Sequence, residues 1–280
     1  MDTEIEFLKS EIKRLRDALN RLTPPLSVMI RRRGFKIYKK EPADDLFLPD
    51  EEFIDSYYEM LKKYSFRLFL RDVIKYQPFF TLTQVSRYAT KEVASKYIDF
   101  LIAIRLISMQ NNSYMLTKGR IRSFGETLEW FVSEIFKREF FIETLRGVKM
   151  KKRSVGGDYD LLAKIDGSIL YMEIKSSPPK QIYINETGAF LERVADLMPE
   201  IAIFFVDTEL RMKDKIVPMF EDESRMRLKL PLIPKRLEKE IFEMTGNLKE
   251  PSRIFIINAK DSIIKNIETV LSAFFRGGVV

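Results

Sequence analysis

The 280-residue sequence contains no cysteine and no histidine. Without cysteine there is no disulfide, zinc ribbon, iron–sulfur cluster or thiol nucleophile. Without histidine there is no Ser-His-Asp triad, no imidazole general base and no HExxH metal site. Any catalysis must run on carboxylates, lysines, tyrosines or hydroxyls, and a metal would be a hard cation held by oxygen. Glutamine is scarce, with four in the chain, which beside abundant Lys, Glu and Ile suits a heat-tolerant protein. No apolar run approaches the ~18 residues of a membrane span. The opening MDTEIEFLKSEIKRLRD is too evenly charged for a signal peptide. A cytoplasmic protein with no membrane partner is the expectation.

Hydrophobic residues make up 45% and charged residues 32%, enough for one large domain or two ordinary ones. The formal net charge of +7 suits a polyanionic partner, although 41 acidic residues offset 48 basic ones. Residues 1–23 carry a heptad: Ile5, Leu8, Ile12, Leu15, Leu19 and Leu22 are spaced 3-4-3-4-3. Ile at a with Leu at d favours a parallel two-stranded coiled coil, with Glu4 facing Lys9 and Glu11 facing Arg16 of a partner chain. That predicts a homodimer; the alternative is an amphipathic helix lying on its own domain. Pro24 and Pro25 end the helix, and residues 24–54 read as an irregular linker with a solvated basic run at Arg31 to Arg33.

Within 55–120 the pattern is a short helix from Leu82 to Tyr88, then a longer one capped by Thr90 and running to about Leu106. Two strands follow, Ile107–Met109 and Tyr114–Thr117, joined through Gln110, Asn111 and Asn112. This order resembles a winged helix-turn-helix, in which Lys91, Ser95 and Lys96 would be placed to reach a DNA groove. Glu92 is unwelcome beside phosphates, and such modules also contact proteins.

From residue 121 to 280 the pattern is α/β. Helices are expected over Gly125–Phe140, Asn185–Leu197 and Asp261–Phe275, and strands over Arg146–Lys151, Ile201–Val206 and Arg253–Asn258. Residues 207–250, interrupted by Pro218, Pro231 and Pro234, are mixed and charged and give no clear order. Between them lies GGDYDLLAKIDGSILYMEIKSS, residues 156–177. Asp166-Gly167 is a strong two-residue hairpin turn. It pairs Leu162 with Tyr171, Asp160 with Glu173 and Asp158 with Lys175, and period two puts these charges on one face.

Opposed carboxylates have Cβ atoms about 5 Å apart, and at an effective dielectric of about 20 their repulsion is about 3 kcal/mol. A compensating cation is needed: Lys175 is one, and a divalent metal bridging both carboxylates fits better. A simply wet hairpin face is the alternative. Against it, SILYMEIK is apolar on both faces apart from Glu173 and Lys175. The strand also stops at SSPPK, where open α/β sheets place ligands.

D-(x)12-E-x-K across a hairpin resembles the PD-(D/E)xK nuclease superfamily of restriction endonucleases and Holliday-junction resolvases; GGDYDLLA…YMEIKSS is similar to its GxxDLxA…VEVK pattern. FGETLEWFVSEIF is similar to the superfamily's first core helix, with Gly125-x-x-x-Glu129 carrying a further acid. The resemblance covers about residues 120–206. It implies a restriction-endonuclease-like αβββαβ core after the winged helix and the coiled coil. It also implies a nuclease acting on DNA with Mg2+ or Mn2+. Asp160 and Glu173 would be metal ligands, Glu129 a further acid near the metal, and Lys175 the residue that positions or activates water.

The superfamily's proline is missing, so Asp158 competes with Asp160 as ligand, and Glu126 competes with Glu129. Lys180 lies where a phosphate would sit, though a surface lysine in a Pro-rich turn reads as well. Asp207 and Asp214 read as capping or solvated acids. The alternative to a nuclease is a non-catalytic, dimeric winged-helix regulator whose α/β part is degenerate.

Overall fold

The computed structural model describes residues 2–151, 155–228, 231–246 and 252–277. The chain begins with helix α1 (Asp2–Leu22), α2 (Leu26–Arg32) and strand β1 (Lys36–Lys39). A helical module follows: α3 (Ile54–Leu61), α4 (Tyr64–Tyr76), α5 (Leu82–Val85) and α6 (Lys91–Ala103), then the hairpin β2 (Ile107–Gln110) and β3 (Ser113–Leu116). The rest is α7 (Gly125–Glu139), β4 (Thr144–Lys151), β5 (Tyr159–Ile165), β6 (Ser168–Lys175), α8 (Ile184–Leu197) and β7 (Ile201–Val206). It closes with α9 (Ile216–Leu228), β8 (Ile233–Glu238), β9 (Ile241–Thr245), β10 (Arg253–Asn258) and α10 (Ile263–Arg276).

Eight strands form one sheet in the order β1-β4-β5-β6-β7-β10-β9-β8. Only β6–β7 and β7–β10 run parallel, and the other neighbours are antiparallel. IAIFFV and RIFIIN are the two central parallel strands, buried on both faces, which is why they read as unbroken apolar runs. The sheet is covered on both sides. Leu161, Ala163, Met172, Ile203 and Phe205 face α7, α10 and the helical module. Leu162, Ala202, Phe204 and Ile256 face α2, α8 and α9.

Thr81 and Gln84 form a capping box on α5, and the Thr90 hydroxyl accepts from Val93 N to start α6. The helical module is locked to the sheet by an ion pair that sequence reading took for a cap or a solvated charge. Asp207, just past β7, is fully buried. Arg67 donates to it through Nη2 at 2.8 Å and Nε at 3.0 Å, and Arg71 Nη2 donates to its other oxygen. Burial alone would push this carboxyl up, but Arg67 and Arg71 outweigh it and hold the aspartate below its ordinary value. Asp214 is exposed, as expected.

Two expectations need correction. The 24–54 segment is not an irregular linker: it contributes α2 and the edge strand β1, which pairs with β4. Arg33, within the presumed solvated run, bonds the Leu197 and Met198 carbonyls at the end of α8 and the Glu200 carboxylate. Pro42 crosses over Gly147 of β4, where a built Cβ would meet its ring at 2.3 Å. The alternative of an amphipathic helix lying on its own domain does not hold, since Ile5, Leu8, Ile12, Leu15 and Leu19 of the heptad stripe are 44–60% exposed. The side chains of Arg16 and Leu22 lie outside the described residues. Among the described residues no helix is long and apolar enough to cross a membrane.

Candidate active site

The β5–β6 hairpin turns at Asp166-Gly167 with Asp166 in the left-handed region at φ +50, which aspartate tolerates better than most residues. Its register is the expected one, pairing Ile165 with Ser168, Leu162 with Tyr171 and Leu161 with Met172. At the open end the geometry differs. The ladder stops at Leu161–Met172, and Asp160 Oδ2 accepts a 2.7 Å hydrogen bond from Ile174 N. Asp160 therefore spends its side chain on the β6 backbone beside Glu173 instead of standing opposite it as a ladder pair. The expected Asp158–Lys175 opposition does not form, because Asp158 pairs with Lys149 of β4 at 3.1 Å.

Glu173 is buried, at 3% exposure, yet both its oxygens are occupied. Tyr171 donates its hydroxyl to Oε2. Arg193, on α8, donates Nη2 to Oε1 at 2.9 Å and Nε to the Tyr171 hydroxyl at 2.8 Å. Lys175 Nζ lies 3.0 Å from Glu173 Oε1 and 3.0 Å from Glu186 Oε1. Burial opposes the charge on Lys175, but Glu173, Asp160 and Glu186 outweigh it, so the lysine stays protonated with its pKa above the ordinary value. A buried carboxylate with this many charge-assisted donors is held rigidly.

Asp160 and Glu129 are less well compensated. Burial, then the charge of Glu173, pushes the Asp160 carboxyl up to about 8. Burial, then the charge of Asp160, pushes Glu129 up to about 9, against the pull of Arg146 on β4. Glu126 is engaged elsewhere, its Oε2 accepting from Asp45 N at 3.1 Å. Asp45 in turn caps the approach to α7 by accepting from Arg122 N and Ser123 N. The structure thus brings Glu129, Asp160, Glu173 and Lys175 into one electrostatic cluster and draws Asp158 aside.

Among the described residues no group of three or more carboxylates is arranged to hold a metal ion. The donors nevertheless suit a hard divalent cation, since Mg2+ is commonly held by one or two carboxylates together with substrate phosphate and water. Asp160 and Glu129 are the acids short of positive charge, whereas Glu173 would have to exchange Arg193 or Lys175 for the ion.

Lys91 and Lys96 are exposed on α6, and Ser95 is half-buried beside them. Lys180 is exposed in the short turn Pro179–Gln181, its carbonyl accepting from Lys215 Nζ at 3.0 Å. The sequence places Tyr171 on the charged face of the hairpin without giving it a role, and sequence reading does not bring Arg193 or Glu186 to the site. One signal was available: Gly157 adopts φ +101, and a Cβ there would meet Arg193 Nη1 at 2.9 Å. That backbone conformation favours glycine, and any side chain there would press on the tip of Arg193.

No protein-family model and no curated protein matches the chain. Among solved structures, protein VC1899 from Vibrio cholerae is similar, with a TM-score of 0.50 at 16% identity over 91% of this chain and 62% of that one. Can2 from Sulfobacillus thermosulfidooxidans, solved in complex with cyclic tetra-adenylate (cA4), gives a TM-score of 0.42 at 18% identity over 65% of this chain and 50% of that one. The chain therefore spans about three fifths of the first protein and half of the second. The likeness to the Vibrio protein is one of α/β fold alone.

Proposed function

We propose that the chain is a metal-dependent DNA endonuclease of the PD-(D/E)xK type. The observation that carries this reading is the cluster at the open end of the β5–β6 hairpin. There, two poorly compensated acids, Asp160 and Glu129, stand with buried Glu173 and protonated Lys175. Such strongly perturbed carboxyls gathered at one place are a mark of functional sites. The element order α7-β4-β5-β6-α8-β7 is compatible with the αβββαβ core of that superfamily.

Asp160 and Glu129 would hold Mg2+ or Mn2+ together with substrate phosphate and water, and Glu173 could join them only by giving up Arg193 or Lys175. When bound, the cation supplies positive charge to the scissile phosphate and acidifies a water. The protein's own residues do the rest. Lys175, kept charged by Glu173 and Glu186, presents an ammonium that orients the attacking water and faces the developing negative charge. Arg193 and Tyr171 fix the Glu173 carboxylate so that Lys175 is held in place. The helical module with its β2–β3 hairpin is read as a winged helix, with Lys91, Ser95 and Lys96 toward DNA and Lys180 toward a phosphate. The exposed stripe of α1 is read as the seam of a parallel homodimer.

The occupation of Glu173 by Arg193, and the lack of a three-carboxylate group among the described residues, favour a second reading. It is a winged-helix DNA-binding regulator with a non-catalytic α/β part. Incubation of plasmid and branched DNA with Mg2+ or Mn2+ separates the two. The nuclease reading expects cleavage by the wild type and none by the Glu173→Ala or Lys175→Ala proteins. It is lost if the wild type is inert or the variants cut equally. Inert protein that still shifts DNA at about 150 mM salt supports the regulator.

A further inference from the structure

A cleft of about 1490 Å³ lies between the helical module and the strand ends of the sheet. Ser176 and Ser177, which directly follow Lys175, line it, as do Thr208 past β7 and Phe124 at the start of α7. It therefore opens at the strand end just past Lys175, where open α/β sheets receive ligands, although Glu129, Asp160, Glu173 and Lys175 do not themselves line it. Its volume exceeds the few hundred to about 1000 Å³ of a site for one small molecule, and suits several linked units.

The lining is cationic and aromatic. Lys75, Arg87, Arg120 and Arg122 contribute positive charge, and Tyr64 and Tyr88 contribute rings. Tyr88 is 46% exposed, and the Arg87 guanidinium lies 5.2 Å from its ring centroid. Basic side chains that track phosphates, with exposed rings that stack on bases, are the ordinary equipment of sites for unpaired strands. Two acids break the pattern: Glu209, which is exposed, and Asp72. Asp72, on α4, lines the cleft at 5% exposure, and its Oδ2 has no hydrogen-bond partner. The charges acting on it are Lys75, Arg87 and Arg71, and Arg71 is committed to Asp207. A buried carboxylate oxygen left without a donor is costly, and phosphate would only add repulsion. Oδ2 itself is sealed from the cleft, so a ligand would meet Asp72 at the edge that the cleft exposes, where a neutral donor on a molecule that also brings negative charge for the arginines suits it.

We propose that this cleft binds an unpaired nucleic-acid strand, with Asp72 accepting a hydrogen bond from the Watson–Crick edge of one base. Arg87 and Arg120 take the flanking phosphates, and Tyr88 stacks. Within a duplex those base donors are already used, so Asp72 selects for an unpaired nucleotide beside the cleavage site. The inference rests on the reading of the chain as a nucleic-acid enzyme and adds the state of the strand it holds.

The test is binding in EDTA, where no cleavage intrudes, by fluorescence anisotropy of short labelled strands. Thymidine strands are compared with N3-methylthymidine strands, which keep the phosphates but lose the ring N–H donor. The wild type should bind the thymidine strand roughly tenfold more tightly than the methylated one, the worth of one hydrogen bond to a charged group. Asp72→Ala should bind both alike, and Asp72→Asn, which keeps a carbonyl acceptor, should retain the preference. Arg87→Ala and Arg120→Ala should weaken both strands by the same factor and flatten the salt dependence. Equal binding of the two strands by the wild type, or a preference that survives in Asp72→Ala, overturns the proposal. So does a duplex that binds as well as the free strand. Because no cleavage is measured, failure here leaves the nuclease reading standing, and an inert enzyme leaves this result standing.

Discussion

Replacing Asp160 by asparagine should make the metal-free protein more stable above neutral pH. The Asp160 carboxyl is pushed from an ordinary 3.8 to about 8 by burial and by Glu173. An acid whose folded pKa is raised costs nothing below its unfolded value. It penalises the fold progressively as pH rises toward the folded value. Each pH unit crossed between those values costs about 1.4 kcal/mol at most. Asp160 is half-buried, and water reaching it trims the sum, so a net gain of about 2 kcal/mol is expected for Asp160→Asn near pH 8. That corresponds to roughly 5 °C in Tm for a chain of this size. The asparagine carbonyl can still accept from Ile174 N, so the local backbone is preserved. Differential scanning fluorimetry in EDTA would show wild type and variant converging near pH 4 and separating as pH rises. Adding Mg2+ should raise the wild-type Tm and leave that of Asp160→Asn nearly unchanged. A variant that melts at or below the wild type in EDTA at pH 8 refutes the electrostatic account of the site.

Asp207→Ala should behave in the opposite way. It strands Arg67, which is 1% exposed, without its partner, and breaking a buried pair costs about 3–5 kcal/mol. Asp207 is held below its ordinary value, so its contribution is full above the usual carboxylate range and is lost as pH falls through the depressed value. Thermal melts across pH check both statements; a variant as stable as wild type at pH 7 contradicts them. For the N-terminal helix, sedimentation equilibrium should find a wild-type dimer and a monomer for the Leu8→Lys, Leu15→Lys double variant. A wild-type monomer rules out the coiled-coil seam.

Much of the β5–β6 hairpin was legible because two local rules agree there. Asp-Gly dictates the turn, and the period of two fixes which side chains share a face, so the register Leu162–Tyr171 follows. What failed was the last pair, since a short aspartate at a strand end bonds the neighbouring backbone at Ile174 more cheaply than it faces a second carboxylate. Strands β7 and β10 were legible to the residue because full burial leaves an unbroken apolar run. The segment containing α9 and β8 was not. Pro218 falls in the first turn of α9, and Pro234 on the edge strand β8, both positions where a missing N–H costs little. Prolines that seemed to break structure therefore sit inside it. Strand β1 was hidden by its four-residue length and exposed edge. Arg193 was hidden because its partners are non-local: a helix residue meets Glu173 twenty positions earlier, and only the backbone of Gly157 betrays it.

On the proposed reading, Lys175 and the acids around it hydrolyse DNA with a divalent cation. It is tested most directly by single-turnover nicking of supercoiled plasmid in Mg2+. The wild type should cleave, EDTA should abolish that cleavage, and Lys175→Ala should be slower by at least about 100-fold. Asp158→Asn, which loses only its Lys149 pair, should cut nearly as fast as the wild type. Equal rates for wild type and Lys175→Ala, or no metal-dependent nicking at all, would contradict it.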